Sequence, residues 1–104
     1  ELFLFARHIA VANNLNISHF LSTIKCESNF RADVIGLSKE VGVMQYMVST
    51  FQRHQNLLGY SELSVYNPYQ QIAVAGAIWR EYPERKREWT CAFKYGGIPA
   101  YGSS

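Results

Sequence analysis

The stretch ISHFLSTIKCESNF, residues 17–30, decides how this chain is read. Ile17, Phe20, Leu21 and Ile24 recur at three- and four-residue spacing, the signature of one buried helical face. Glu27 continues that stripe one turn beyond Ile24. A carboxylate on an apolar face either finds a partner or has its acidity weakened by desolvation. The helix therefore ends on a thiol, Cys26, and an acid that call for an explanation.

Working outward, the remaining pattern is also helical. Residues 2–14 carry Phe3, Phe5, Ile9, Val11 and Ala12 before Asn13, Asn14 and Asn16 interrupt them. Ser18 is a candidate cap for the second helix. Residues 31–42 read as a loop, with Asp33, Gly36 and Ser38 as turn formers. Ser49 or Thr50 is placed to cap a short helix through Leu58, closed by Gly59. Asn67-Pro68 opens the clearest helix, because a proline at the first helical position loses no bond. Ile72, Ala75, Gly76 and Trp79 form its apolar stripe, with Gly76 marking a close approach by a neighbour, and Pro83 ends it. A last helix from about Glu84 carries Trp89, Ala92 and Phe93 and stops at Gly96-Gly97. Only 41–46 offers a strand. The expectation is a mostly α single domain over residues 1–104.

Composition narrows the function classes. A chain of 104 residues with 48% hydrophobic and 14% aromatic content suits one packed core, not a disordered segment. A net charge of +2 is too weak to name nucleic acid as a partner, yet does not oppose an anionic polymer such as bacterial cell wall. Arg85-Lys86-Arg87, interleaved with Glu84 and Glu88, reads as the solvated start of a helix. No apolar run is long enough to span a membrane, which predicts a soluble domain. The chain opens on Glu1 with no signal-peptide pattern and reads as processed or excised. His8, His19 and His54 lack ligand spacing, so no metal or cofactor is implied. The two cysteines read either as small buried thiols or as one disulfide. A thiol nucleophile at Cys26 would have to draw on His19, two turns back.

Two motifs then stand at a fixed separation: Glu27-Ser28-x-Phe30, and Gly42-Val43-Met44-Gln45-Tyr46-Met47 followed by Thr50. Together they resemble the catalytic core of soluble, lysozyme-like lytic transglycosylases. A closer likeness, to the catalytic domains of resuscitation-promoting factors, rests on Cys26-Glu27-Ser28, Gln71-Ile72-Ala73-Val74-Ala75 and Trp89-Thr90-Cys91. The resemblance covers about residues 17–97. It implies a lysozyme-like fold, action on peptidoglycan glycan strands as an extracytoplasmic monomer, and a Cys26–Cys91 disulfide. Such a bridge would contribute about 4 kcal/mol in the chain-entropy picture.

The same resemblance makes Glu27 the acid/base and puts Gln45, Tyr46, Met47, Ser28 and Tyr95 at the substrate. If 91–95 is helical, Tyr95 shares a face with Cys91 and the bridge brings it towards Glu27. The run Phe93-Lys94-Tyr95-Gly96-Gly97 lacks the family's usual Asn. Gly36 stands where the family often has Ser, and Val48 where it has Pro. Bland readings coexist: Gln45 as a backbone cap, and Met44 and Met47 as core. Cleaving a β-1,4 glycosidic bond needs a carboxyl that can protonate the leaving oxygen. A hydrolase needs a second carboxylate, for which Asp33 and Glu40 are the candidates. The transglycosylase route implied by the resemblance needs one, since the substrate's N-acetyl group assists and the product is a 1,6-anhydromuramyl end. The alternatives are a hydrolytic muramidase and a catalytically degenerate peptidoglycan-binding domain.

Overall fold

The computed structural model describes residues 1–93. Four α-helices follow one another: α1 (Leu2–Ala12), α2 (Ile17–Ser28), α3 (Val48–Leu57) and α4 (Pro68–Glu81). Two 3₁₀ turns, Pro83–Glu88 and Thr90–Phe93, complete the described chain. Residues 41–46 form no strand; Val41 makes single bridges to Ile35 and Tyr46. Among the described residues, no helix is long and apolar enough to cross a membrane.

The caps explain where the helices begin. Asn16, not Ser18, opens α2, its side chain accepting the His19 N–H at 2.9 Å. The helix ends at Asn29, whose left-handed backbone (φ 54°) is the αL stop. Phe30 repeats that conformation (φ 60°), so the chain reverses just beyond Glu27. Phe30 then packs edge-on against Phe3 of α1. Asn67 caps α4 as its sequence indicated, accepting from Tyr69 and Gln70 N–H groups. By contrast, α3 starts at Val48 with Met47 as a cap that makes no side-chain bond, so Ser49 and Thr50 lie inside the first turn.

The central element is α4, packed against α1, α3 and the first 3₁₀ turn, while α2 packs against α1 and the second. Ile72, Ala75, Gly76 and Trp79 are all buried, as the stripe required. Trp79 meets Phe20 edge-to-face, with ring centroids 5.0 Å apart. Such pairs contribute about 0.5–1.5 kcal/mol beyond the area they bury. A Cβ on Gly76 would run into Ile9 Cγ2 of α1, so the glycine sets how closely these two helices approach.

The last helix is not formed as the sequence pattern suggested. Trp89 breaks it with an extended backbone (φ −104°, ψ 111°). That break lets the indole bury to 3% exposure and donate Nε1–H to the Met44 carbonyl at 3.0 Å. The basic run is also more engaged than a solvated face. Arg85 pairs with Glu88, and Lys86 Nζ sits 5.2 Å above the Trp79 ring.

The α1–α4 contact yields a direct test. Gly76→Ala should lower the unfolding free energy by about 1–3 kcal/mol, because overpacking outweighs the smaller gain in helix propensity. In an Ile9→Ala background, urea titration should show most of that loss removed, since the clashing methyl is gone.

Candidate active site

The loop from Val41 to Met47 is fixed from three sides before any of its side chains can face solvent. Gln71 of α4 accepts the Met44 N–H at 2.8 Å and donates to the carbonyls of Val41 at 3.0 Å and Val65 at 2.6 Å. Ser28 of α2 donates to the Val43 carbonyl at 2.6 Å. The Trp89 indole holds the Met44 carbonyl. Gly42 takes φ +80°, and a Cβ there would strike the Gln71 carboxamide, so both the turn and the approach require glycine. Met44 is fully buried in the core, whereas Met47 stays 41% exposed.

This loop forms one wall of a cavity of about 560 Å³. Glu27 lines it from the end of α2, with Gln45, Tyr46 and Met47 beside it, and Glu40, Thr50, Arg53, His54, Glu88 and Trp89 completing the walls. Glu27 is half-buried and its Oε2 accepts the Cys91 N–H at 3.2 Å. Cys91 is disulfide-bonded to Cys26, with Cα atoms 5.9 Å apart, so the bridge implied by the resemblance is present. The turn carrying that N–H is pegged on both sides. Trp89 holds it on one, and His19 on the other, its Nε2 lying 3.0 Å from the Ala92 carbonyl.

The other expected residues divide. Gln45 lines the cavity with a left-handed backbone (φ 52°), and its amide N–H₂ is consumed by the Val34 and Gly42 carbonyls at 3.1 and 2.8 Å. The nitrogen of Gln45 thus caps backbone, while the residue itself forms part of the cavity wall. Ser28 does not line the cavity; buried and donating to Val43, it positions the loop instead. Tyr95 lies outside the described residues. Of the two possible second carboxylates, Asp33 is exposed and held by Arg31, whose guanidinium keeps its carboxyl below the usual range. Glu40 lines the cavity.

One cluster was not anticipated from spacing. His54 is fully buried, with Nε2 2.7 Å from Glu88 Oε1 and Nδ1 2.8 Å from the Tyr46 hydroxyl. A carboxylate only accepts, so Nε2 carries the proton and Nδ1 accepts from Tyr46. Arg85 closes the chain on Glu88 at 2.9 Å. Burial pushes the His54 pKa down from its ordinary 6.5; Glu88 opposes this, while Arg85 and Arg53 add to it. Burial and the Glu88 charge raise Tyr46 well above the ordinary phenol, so it stays a donor. The inward stripe Phe51, His54 and Leu58 was the available signal for a buried histidine. Among the described residues, no three His, Cys, Asp or Glu side chains gather as a metal site.

Comparison with known families decides what this cavity belongs to. The model of the transglycosylase SLT domain matches residues 5–100. The chain belongs to the SLT transglycosylase family. Membership makes peptidoglycan its substrate and lytic transglycosylation its general activity, and accounts for the mostly helical, lysozyme-like fold. No curated protein sequence matches the chain.

The buried histidines give this SLT domain a pH-dependent stability. Both His54 and His19 have folded-state pKa values below 6.5. Below that pH the unfolded chain takes up protons that the fold refuses, so stability is full above about 6.5 and falls as pH drops beneath it. Urea unfolding between pH 7 and 5 should show this slope, at most about 1.4 kcal/mol per pH unit per histidine. His54→Gln should remove its share of the slope.

Proposed function

We propose that Glu27 is the single acid/base of a lytic transglycosylase, cleaving the β-1,4 bond between N-acetylmuramic acid and N-acetylglucosamine outside the cytoplasm. The observation that carries this reading is that Glu27 lies in the same cavity as Gln45 and Met47, with one carboxylate oxygen oriented by the Cys91 N–H. A carboxyl in that wall stands beside a glycan strand laid along the cavity. Glu27 protonates the leaving oxygen while the muramyl N-acetyl group assists at the anomeric carbon. The resulting carboxylate then takes the proton of the C6 hydroxyl, which closes the 1,6-anhydro ring. The Gln45 carbonyl oxygen and the Met47 thioether flank the sugar. Tyr46 supports them from below through His54. The closer likeness to resuscitation-promoting factors rests on the two cysteine-containing runs and their bridge.

A hydrolytic reading draws on one observation, the presence of Glu40 in the same cavity. Products separate the two. Mass spectrometry of digested peptidoglycan should show anhydromuramyl ends from the wild type. Glu27→Gln should slow their release by at least about 10²–10⁴-fold, the usual contribution of a general acid. Reducing ends from the wild type would replace this reading with hydrolysis. Undiminished activity in Glu27→Gln would remove Glu27 from it.

A further inference from the structure

The cavity wall around Gly36 holds an arrangement that the acid/base chemistry does not use. Glu40 Oε1 accepts the Ser38 N–H at 2.8 Å, which fixes the carboxylate against its own loop. A Cβ on Gly36 would lie 2.5 Å from Glu40 Oε1 and 2.7 Å from Gln45 Oε1. Two acceptor oxygens from separate side chains therefore converge on one point beside a residue with no side chain. Both Glu40 and Gln45 line the cavity that holds Glu27. The Gln45 amide cannot turn its nitrogen into the cavity, because both N–H groups are held by backbone carbonyls. Among the described residues, Glu40 Oε2 and Gln45 Oε1 accept no hydrogen bond. The wall offers acceptors and a negative charge.

Such a wall selects a ligand by the donors it presents. Within a glycan strand, an internal N-acetylglucosamine ring carries two donors on neighbouring carbons, the C2 acetamido N–H and the C3 hydroxyl. An N-acetylmuramic acid ring has lost the second, since its O3 is the ether of the lactyl group. That group ends in a carboxylate or a peptide, and a carboxylate there meets the Glu40 charge with repulsion.

We propose that Glu40 and Gln45 form a specificity site that takes an N-acetylglucosamine ring through its C3 hydroxyl and acetamido N–H and rejects N-acetylmuramic acid, so setting the register of the strand over Glu27. The assignment rests on the glycan-cleaving reading above. Gly36 is then a requirement of the site: a side chain there would push the two oxygens apart.

The test measures binding, so that it reads independently of cleavage. In NMR titration with a β-1,4 tetramer of N-acetylglucosamine, Glu40→Ala should weaken binding about ten- to a hundredfold, the usual effect of losing a hydrogen bond to a charged group. Gly36→Ala removes no polar group and should also weaken it. A tetramer methylated at its C3 hydroxyls should bind wild type and Glu40→Ala alike, which ties the effect to that hydroxyl. Equal binding of the unmodified tetramer by wild type and both variants would overturn the proposal, as would a wild type that does not bind it. On peptidoglycan, Glu40→Ala should raise KM with little change in kcat; a loss confined to kcat would make Glu40 a reacting group and overturn it too. A wild type that binds the tetramer as described but cleaves no peptidoglycan would overturn the transglycosylase reading and leave this one standing.

Discussion

The carboxamide of Gln71 is the interaction on which the site depends. It is buried to 1% exposure and makes three bonds, to a peptide N–H and two carbonyls. Through them α4, the longest helix, fixes the backbone on which Gln45, Tyr46 and Met47 follow. Without the carboxamide, the buried Met44 N–H and Val65 carbonyl would lose their partner, at a cost of about 1–3 kcal/mol for each left unsatisfied, while the Val41 carbonyl would keep the Tyr46 N–H. Ser28 and Trp89 add single bonds to the same short loop. Three elements far apart in sequence therefore agree on one loop conformation, including the positive φ of Gly42 and Gln45. A wall fixed in this way holds its polar atoms in place before substrate arrives, which is what preorganised catalysis requires.

The acid is positioned by a related logic. Glu27 sits at the end of a helix whose next two residues turn back on themselves, and its orienting N–H comes from a segment with little regular structure of its own. That segment is held by what surrounds it: an indole bond, a histidine bond and a disulfide. Such pegs let a short 3₁₀ turn present a backbone donor with the constancy that a longer helix would supply.

How much of this the sequence disclosed depended on whether the cause was local. Asn67-Pro68, the stripe of α4 and the close approach at Gly76 follow from helical period and cap chemistry, and all three appear in the structure. Glu27, Gln45, Tyr46 and Met47 were legible as a motif, and the fold gathers them at one cavity. What escaped depended on distant partners. Trp89 leaves helical geometry because the Met44 carbonyl is there to be bonded, and no window around residue 89 contains that carbonyl. Ser28 turns to the Val43 carbonyl for the same reason. The His54–Glu88 pair joins residues 34 apart, so no local spacing could suggest it. Asn16 displaced Ser18 as the cap of α2, a shift of two residues between equally suitable side chains.

The Cys26–Cys91 bridge also changes what breakage of the chain means. It closes most of the described chain into a covalent ring, with α1 and most of α2 as a tail outside it. Inside the ring, the loop that carries Ile35 and the fully exposed Leu37 stands open to solvent. Exposed loops of this kind are where proteases cut first. A single cut there opens the ring without releasing a fragment: the piece bearing Glu27 stays tethered, through its neighbouring cysteine, to the piece bearing Gln45 and the turn that orients the acid. Nicking and dissociation become separate events, the second requiring a reductant as well as a protease.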